Sequence, residues 1–344
     1  MSLNRPPDLH AALMCNARYL TILVWLVASP APAAALPVLV AEPVTDQVWY
    51  FRGVAGQASA ANQGFTSNAG FVVTADGVLV FDALGTPALA QAMLLAIASI
   101  TNEPVRRVIV SHYHADHIYG LQVFKAAGAE IWARSEGHLY LDSDFARERL
   151  AERRRTLAPW VDTDTQLVRA DRWLRLAAGQ TQRSELGGTH FRLISAGHAH
   201  APDDLMLLVQ AAAPAPGRPG SSVLFAGDLY FSGRLPFVVD ANTRGWLSAI
   251  DAIAALDVDC IVPGHGAMSC STADDLQLTA EYLRFLREKM GAAVEQLTEF
   301  GEAYGAIDWS AYAGVPTFAE ANRRNVYSVY LEMQTEMLDG TAAP

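Results

Sequence analysis

The stretch Val105-Arg106-Arg107-Val108-Ile109-Val110-Ser111-His112-Tyr113-His114-Ala115-Asp116-His117 has two unlike halves. Val105, Val108, Ile109 and Val110 are β-branched, and residues 105–110 read as a short buried strand. The strand runs directly into His112, His114, Asp116 and His117, four metal-ligating side chains on six positions. The chain has only nine histidines, so this density is no incidental polar turn. A strand end turning into a helix fans such side chains apart, which suits two ions sharing them better than one. Neutral imidazole suits zinc, at Zn–N distances of ~2.0–2.1 Å, and carboxylate oxygen is also accepted. Tyr113, between the first two histidines, either faces substrate or packs beneath the loop.

Upstream, strands are expected over residues 47–54, 68–73 and 78–81, with Ala75-Asp76-Gly77 as a hairpin turn. Pro87 opens a helix that runs to Ile100. Downstream, Gly120–Ala127 reads as a helix ended by Gly128, and Glu130–Ala133 as a strand. Residues 135–158 are Arg-rich with helical spacing. They read either as a solvated face with internal ion pairs or as a basic patch for substrate. Short strands and turns follow over 159–188. Strands are expected at 189–194 and 205–210 around the loop Ser195–Asp204, and at 223–226, ending in Gly227-Asp228. Residues 211–222 read as a surface loop. A helix over 243–256 leads to a strand over 259–262 that ends in Pro263-Gly264-His265-Gly266. Long helices are expected over 272–298 and 318–338. Four separate strands thus end in a His- or Asp-bearing loop. The order fits one α/β body with sheets inside and helices outside.

The 344 residues are 51% hydrophobic and 18% charged, enough for a large buried core. The net charge of −11 argues against a nucleic-acid partner and fits a small-molecule substrate. Residues 1–35 read as a secretory signal peptide: Arg5 and Arg18, the apolar run Tyr19–Ala28, then Ser29-Pro30-Ala31-Pro32-Ala33-Ala34-Ala35. No later segment offers ~18 continuous apolar residues, so the mature chain is expected to be periplasmic or secreted, with no stable membrane insertion. An uncleaved anchor is the alternative. Cys260 and Cys270 remain after cleavage, either as a disulfide bracing the His265 loop or as two separate thiols.

The block His112-x-His114-x-Asp116-His117 resembles the signature of the metallo-β-lactamase superfamily. Gly197-His198-Ala199-His200-Ala201-Pro202-Asp203-Asp204, Phe225-Ala226-Gly227-Asp228 and Pro263-Gly264-His265-Gly266 resemble its later motifs, in the same order, over residues 45–285. The resemblance implies an α/β fold, an αββα sandwich of two packed mixed sheets. The chain is expected to divide into the leader (1–35), a domain of that family (36–300) and a packed C-terminal helical extension (301–344). The resemblance implies one metal held by His112, His114 and His200, a second by Asp116, His117 and His265, and Asp228 bridging both. His200 is chosen over His198 because Pro202-Asp203-Asp204-Leu205 follows it. His198 is then a supporting or solvent-facing neighbour. Ala201 stands where the family often has Thr or Ser, so one supporting hydrogen bond is expected to be missing.

The implied activity is that of a binuclear zinc-dependent hydrolase, two Zn²⁺ per chain, with iron or manganese as alternatives. A metal-bridging hydroxide would attack an ester, thioester, lactone or amide-type substrate, and Asp116 would orient it and shuttle its proton. Asp228 stands where common zinc β-lactamases carry Cys, and Phe231 where they carry Lys. The stretches Gly227–Phe237, Arg244-Gly245-Trp246-Leu247 and Asn325–Glu332 look similar to exported zinc metallohydrolases of quinoprotein relay systems. Arg234 is either an anion contact near the site or a surface arginine. Arg323 and Arg324 read most simply as packing and solvated residues. The other readings are a β-lactamase or lactonase, an iron-dependent persulfide-type oxidoreductase, and an exported non-catalytic metal-binding accessory protein.

Overall fold

A computed structural model describes residues 35–210, 222–270 and 277–341. The expected leader (save Ala35), most of the expected 211–222 loop and the start of the helix expected from residue 272 lie outside the described residues. Leu36–Pro344 forms one compact unit.

Strands β1 (Glu42–Pro43), β2 (Val48–Phe51), β3 (Ala69–Thr74) and β4 (Gly77–Phe81) pair antiparallel in sequence order. The β3–β4 turn is the expected one, with Thr74 opposite Gly77 and the Thr74 hydroxyl donating to the Gly77 carbonyl. Helix α1 (Pro87–Ile100) carries the chain to β5 (Val105–Ile109), which pairs parallel with β4. Thr86 caps α1, its hydroxyl accepting from the Leu89 amide, and Pro87 takes the first helical position. Short helices α2 (Ala115–Ile118) and α3 (Leu121–Ala126) lead to β6 (Glu130–Arg134). Helices α4 (Gly137–Leu141) and α5 (Asp144–Thr156) precede β7 (Arg172–Leu174), which closes a seven-stranded sheet.

The second sheet holds β8 (Thr181–Leu186), β9 (Thr189–Gly197), β10 (Asp204–Gln210), β11 (Ser222–Phe231) and, after α6 (Thr243–Ala254), β12 (Cys260–His265). Its order is β12-β11-β10-β9-β8, with only β11 and β12 parallel. Helices α7 (Gln277–Glu295), α8 (Phe300–Gly305) and α9 (Phe318–Leu338) follow.

Alternation along the strands builds three apolar layers. Leu79 and Phe81 of β4, with Val48 and Tyr50 of β2, meet Leu205, Leu207 and Val209 of β10 and Val223 and Phe225 of β11 between the sheets. Val78 and Val80 face the other way, onto α1 and α3. Met206, Leu208 and Leu224 face α6, α7 and α9. The result is an αββα sandwich. Gly70 permits the close approach of the sheets, because a Cβ there would lie 2.1 Å from the Phe225 ring. Phe225 in turn stacks on Phe81 at 5.3 Å.

β11 runs five residues beyond its expected end at Ala226, so Asp228 lies within the strand rather than past it. Gly227 accounts for this. Its φ of +56° kinks the strand, and the pairing with β12 shifts register there and then resumes. The strand β12 likewise extends through Pro263-Gly264 to His265.

Candidate metal centre

Seven side chains converge where the ends of the two sheets meet. His112, His114, Asp116 and His117 come from the loop after β5 and from α2. His200 comes from the loop after β9, Asp228 from β11 and His265 from the end of β12. Asp228 is at the centre. Its Oδ2 is 3.3 Å from His200 Nε2, 3.3 Å from His265 Nε2 and 3.9 Å from His112 Nε2, and its Oδ1 is 3.2 Å from His117 Nε2. His114 Nδ1 is 3.0 Å from His200 Nε2, and Asp116 Oδ2 is 3.5 Å from His265 Nε2 and 4.0 Å from His117 Nε2. Three overlapping groups have ligand atoms within 4.8 Å of one another: His112/His114/His200, His112/His117/Asp228 and Asp116/His117/His265. Every residue proposed from the sequence as a ligand is therefore brought together. His198 is exposed and turned away, its Nε2 2.9 Å from the Asp240 carbonyl.

The donor set fits a cation. His112 Nε2, His117 Nε2 and Asp228 Oδ1 are buried, aim into the cluster and have no hydrogen-bond partner. Such orphaned groups cost roughly 1–3 kcal/mol each unless something satisfies them, and a metal ion satisfies lone pairs without supplying protons. Burial, aided by neighbouring imidazoles, holds His112 well below its usual pKa and brings His200 to about 3. Burial also lowers His114. All three are therefore neutral, the form that ligates. Burial would raise the two aspartates, but the surrounding histidines outweigh it. Asp228 is held well below the usual carboxylate range, and Asp116 is lowered to about 2. Against burial, the carboxylates of Asp228, Asp82 and Asp116 push His117 well above its usual value, so a cation binding there displaces a proton.

The supporting groups were not singled out from the sequence. Asp82 is buried at the end of β4 in the left-handed region, φ 63°. It accepts from the Ser111 amide and hydroxyl, each at 2.7 Å, and from His117 Nδ1 at 2.8 Å, which points His117 Nε2 into the cluster. The Thr66 carbonyl accepts from His265 Nδ1 at 2.6 Å and does the same for His265. Asn68 donates to the Pro263 and Gly266 carbonyls, each at 2.8 Å, pinning the His265 loop to the first sheet. Buried Arg134 donates to the Gly197 carbonyl at 2.8 Å and steadies the His200 loop. The one sequence signal for Asp82 is an acid directly after the apolar run Val78–Phe81. His200 Nδ1 has no partner, in keeping with alanine at 201.

Aromatic rings set the ligand planes. Phe231 stacks on His265, with centroids 4.8 Å apart and planes 8° apart, and buried Trp246 meets His200 edge-on at 5.0 Å. Tyr113 is buried, donates from its hydroxyl to the Val168 carbonyl and stacks on Trp173; it does not face the cavity. Cys260 and Cys270 form a disulfide across the His265 loop. His114, Asp116, His200, Asp228 and His265 floor a cavity of about 270 Å³ whose walls include Tyr140, Phe145 and Phe237, and Arg149, Arg153, Arg234 and Arg324. The Arg-rich helix α5 carries the internal ion pairs of one sequence reading, and two of its arginines also line the cavity. Arg147 and Arg149 pair with Asp144 and Glu152, while Arg149 and Arg153 face the cavity. Arg323 packs over Phe300 and Tyr304, but Arg324 reaches the cavity.

Known proteins share this fold. The "Metallo-beta-lactamase IND-1" of Chryseobacterium indologenes is 23% identical over 206 residues, 58% of this chain and 72% of its own length. The crystal structure of metallo-beta-lactamase IND-7 superposes with a TM-score of 0.52 at 20% identity, covering 72% of this chain and 98% of that one. The inverting sec-alkylsulfatase Pisa1 from Pseudomonas sp. superposes at 0.62 with 16% identity, covering 89% of this chain and 52% of its own. A family model described as the metallo-beta-lactamase superfamily matches residues 62–265, from just before the β3 strand to the last histidine of the cluster. That span is more than half of the chain and holds all seven converging side chains, so the protein belongs to the metallo-beta-lactamase superfamily.

Proposed function

We propose that the protein is a binuclear, zinc-dependent hydrolase of small ester, thioester, lactone or amide-type substrates, exported from the cytoplasm. The family and the convergent His/Asp groups support a metal-dependent hydrolase. The observation that carries the binuclear reading is the placement of Asp228 between two separate ligand groups, His112/His114/His200 and Asp116/His117/His265. The disulfide supports export, since such bonds persist in oxidising compartments.

Bound cations supply Lewis acidity, lowering the pKa of water toward ~7 and polarising the scissile oxygen. The chain's own residues do the rest. Asp228 is buried and ionised, and it serves to hold charge. Asp116 has 29% of its side chain exposed to the cavity, so it is the carboxylate that can reach an attacking water. It accepts a hydrogen bond from that water, orients it and passes the proton outward. The Thr66 hydroxyl, 3.4 Å from Asp116 Oδ2, and the Ser67 hydroxyl, which donates to the Asp116 carbonyl, fix that carboxylate. Tyr140, Phe145 and Phe237 supply apolar surface on the cavity walls.

Metal quantification combined with a hydrolysis screen tests the reading. Two zinc ions per chain and turnover of a thioester, lactone or ester support it, nitrocefin turnover alone would narrow the class to β-lactam amides, and phosphodiester turnover alone would redirect it. One iron per chain with no hydrolysis would overturn it.

A further inference from the structure

Among the described residues, β8 (Thr181–Leu186) pairs with β9 on one side only and ends the second sheet. The turn Gly187-Gly188, with φ of 51° and 75°, closes the two strands on the pair Leu186–Thr189. At the other end the Ser195 amide donates to the Gln180 carbonyl at 3.0 Å. Hydrogen-bonded and non-hydrogen-bonded pairs alternate along an antiparallel ladder. Both ends therefore agree: Gln182, Ser184 and Leu186 turn their backbone groups toward β9, and Thr181, Arg183 and Glu185 turn theirs to the open side. The side chains of those three residues are exposed, while the alternate three are half-buried. Arg107 of the first sheet donates to the Ser184 hydroxyl at 3.1 Å and pins the middle of the strand. A fixed, open edge of this kind is a template for a further strand.

Charges on an edge normally discourage pairing. Here their order favours one partner, a second copy of the chain. Arg183 lies opposite Arg192 on β9, an unfavourable like-charge pair, and forms no ion pair or hydrogen bond among the described residues. Glu185, opposite His190, has its carboxylate 3.6 Å from that ring and 58% exposed. A twofold axis at Ser184 would set two β8 strands antiparallel, with Arg183 of each opposite Glu185 of the other. Both residues carry outward backbone groups, so this register also satisfies the ladder. The next registers that satisfy it put Arg183 opposite Arg183 on one side, or Glu185 opposite Glu185 on the other. Charge thus selects one register from those the backbone allows.

We propose that the protein self-associates through β8, as a symmetric dimer in which the second sheet continues from one copy into the other. The contact uses the same strand on both copies, so it closes at two. It is held by ladder hydrogen bonds and by exposed Arg183–Glu185 pairs, which makes it a small, reversible and salt-sensitive interface. The association stands apart from the hydrolase reading, because none of these residues belongs to the metal cluster or its cavity.

Sedimentation velocity over a concentration series tests it. Wild type should show a monomer–dimer equilibrium that weakens as salt is raised. Arg183→Glu or Glu185→Arg alone should weaken the dimer at least about tenfold, since each sets like charges opposite one another. An equimolar mixture of these two variants should associate again, because every cross-strand pair is then unlike, and so should the double variant Arg183→Glu with Glu185→Arg. Circular dichroism of each variant shows that the sheets are formed. The register has its own check. Ser184 would face its own symmetry mate as a non-hydrogen-bonded pair, with Cα atoms ~4.5 Å apart, inside the ~4.4–6.8 Å span of a disulfide. Mild oxidation should therefore link Ser184→Cys into a covalent dimer, and should leave wild type and Gln182→Cys unlinked. A monomer at every concentration would overturn the proposal. So would a dimer indifferent to the charge reversals, a mixture no tighter than the single variants, or equal linking of Ser184→Cys and Gln182→Cys.

Discussion

Asp116 and Asp82 lie on opposite sides of His117 and do different work. Asp116 is open to the cavity, while Asp82 is buried and carries three hydrogen bonds. Replacing Asp116 with Asn keeps the shape but removes the charge that orients water and takes its proton. Turnover should fall by at least ~10²-fold while the thermal melt stays near that of wild type. Wild-type rates would remove Asp116 from the mechanism. Asp82→Ala strands the Ser111 amide and the His117 Nδ1–H in the core. It should cost about 3–5 kcal/mol in chemical denaturation and weaken metal binding ~10–100-fold by competitive chelation. A variant with unchanged metal affinity would show that His117 is oriented by packing alone. The block from His112 to His117 was legible in the sequence because metal chemistry restricts residue type and spacing, whereas His200, Asp228 and His265 were reached only through the family resemblance. Asp82, Asn68 and Arg134 were not legible, because they are defined by the backbone groups they meet across the fold, and no spacing records that.

The elements that could be read to the residue were those with local punctuation. α1 begins at Pro87 after its Thr86 cap, and α9 spans 318–338 as its periodicity predicts. β11 and β12 were read short because Gly227 and Pro263-Gly264 look like stops. In the fold they are a kink and a close approach inside continuing strands. Gly264 is the tightest of these, since a Cβ there would sit 1.9 Å from Asp228 Oδ1. Gly264→Ala should therefore displace that carboxylate, and elemental analysis should show less metal per chain with the sheets still formed by circular dichroism. The motifs after Asp228 become intelligible as mates. Asn325 holds the 236–238 segment, and Glu332 accepts from the Thr243 amide and hydroxyl at the start of α6. The disulfide braces β12, an edge strand, over a separation of ten residues. Cys260→Ser with Cys270→Ser should lower stability by about 2–3 kcal/mol. The same loss should follow reduction of the wild-type protein, and a melt insensitive to both would show that the loop is held without the bridge.

At the scale of the molecule, an α/β body followed from the order of elements and the αββα sandwich from the family resemblance, whereas the facing of the two sheets depended on contacts such as Gly70 against Phe225 that only the fold reveals. The cluster joins the layers. His112, His114, Asp116 and His117 follow a strand of the first sheet, and His200, Asp228 and His265 belong to the second. Chelation should thus loosen the whole body. At a thousandfold excess of free metal over its dissociation constant the stabilisation is about 4 kcal/mol, so EDTA should lower the melting temperature by on the order of 10 °C, reversibly on adding zinc. A melt indifferent to chelator would mean the sheets need no such rivet. Because neither half of the chain owns a complete ligand set, an ion has no seat until both have been made and have docked. Uptake of a metal should accordingly follow the docking of the two sheets, and the ion acquired should then depend on where folding is completed.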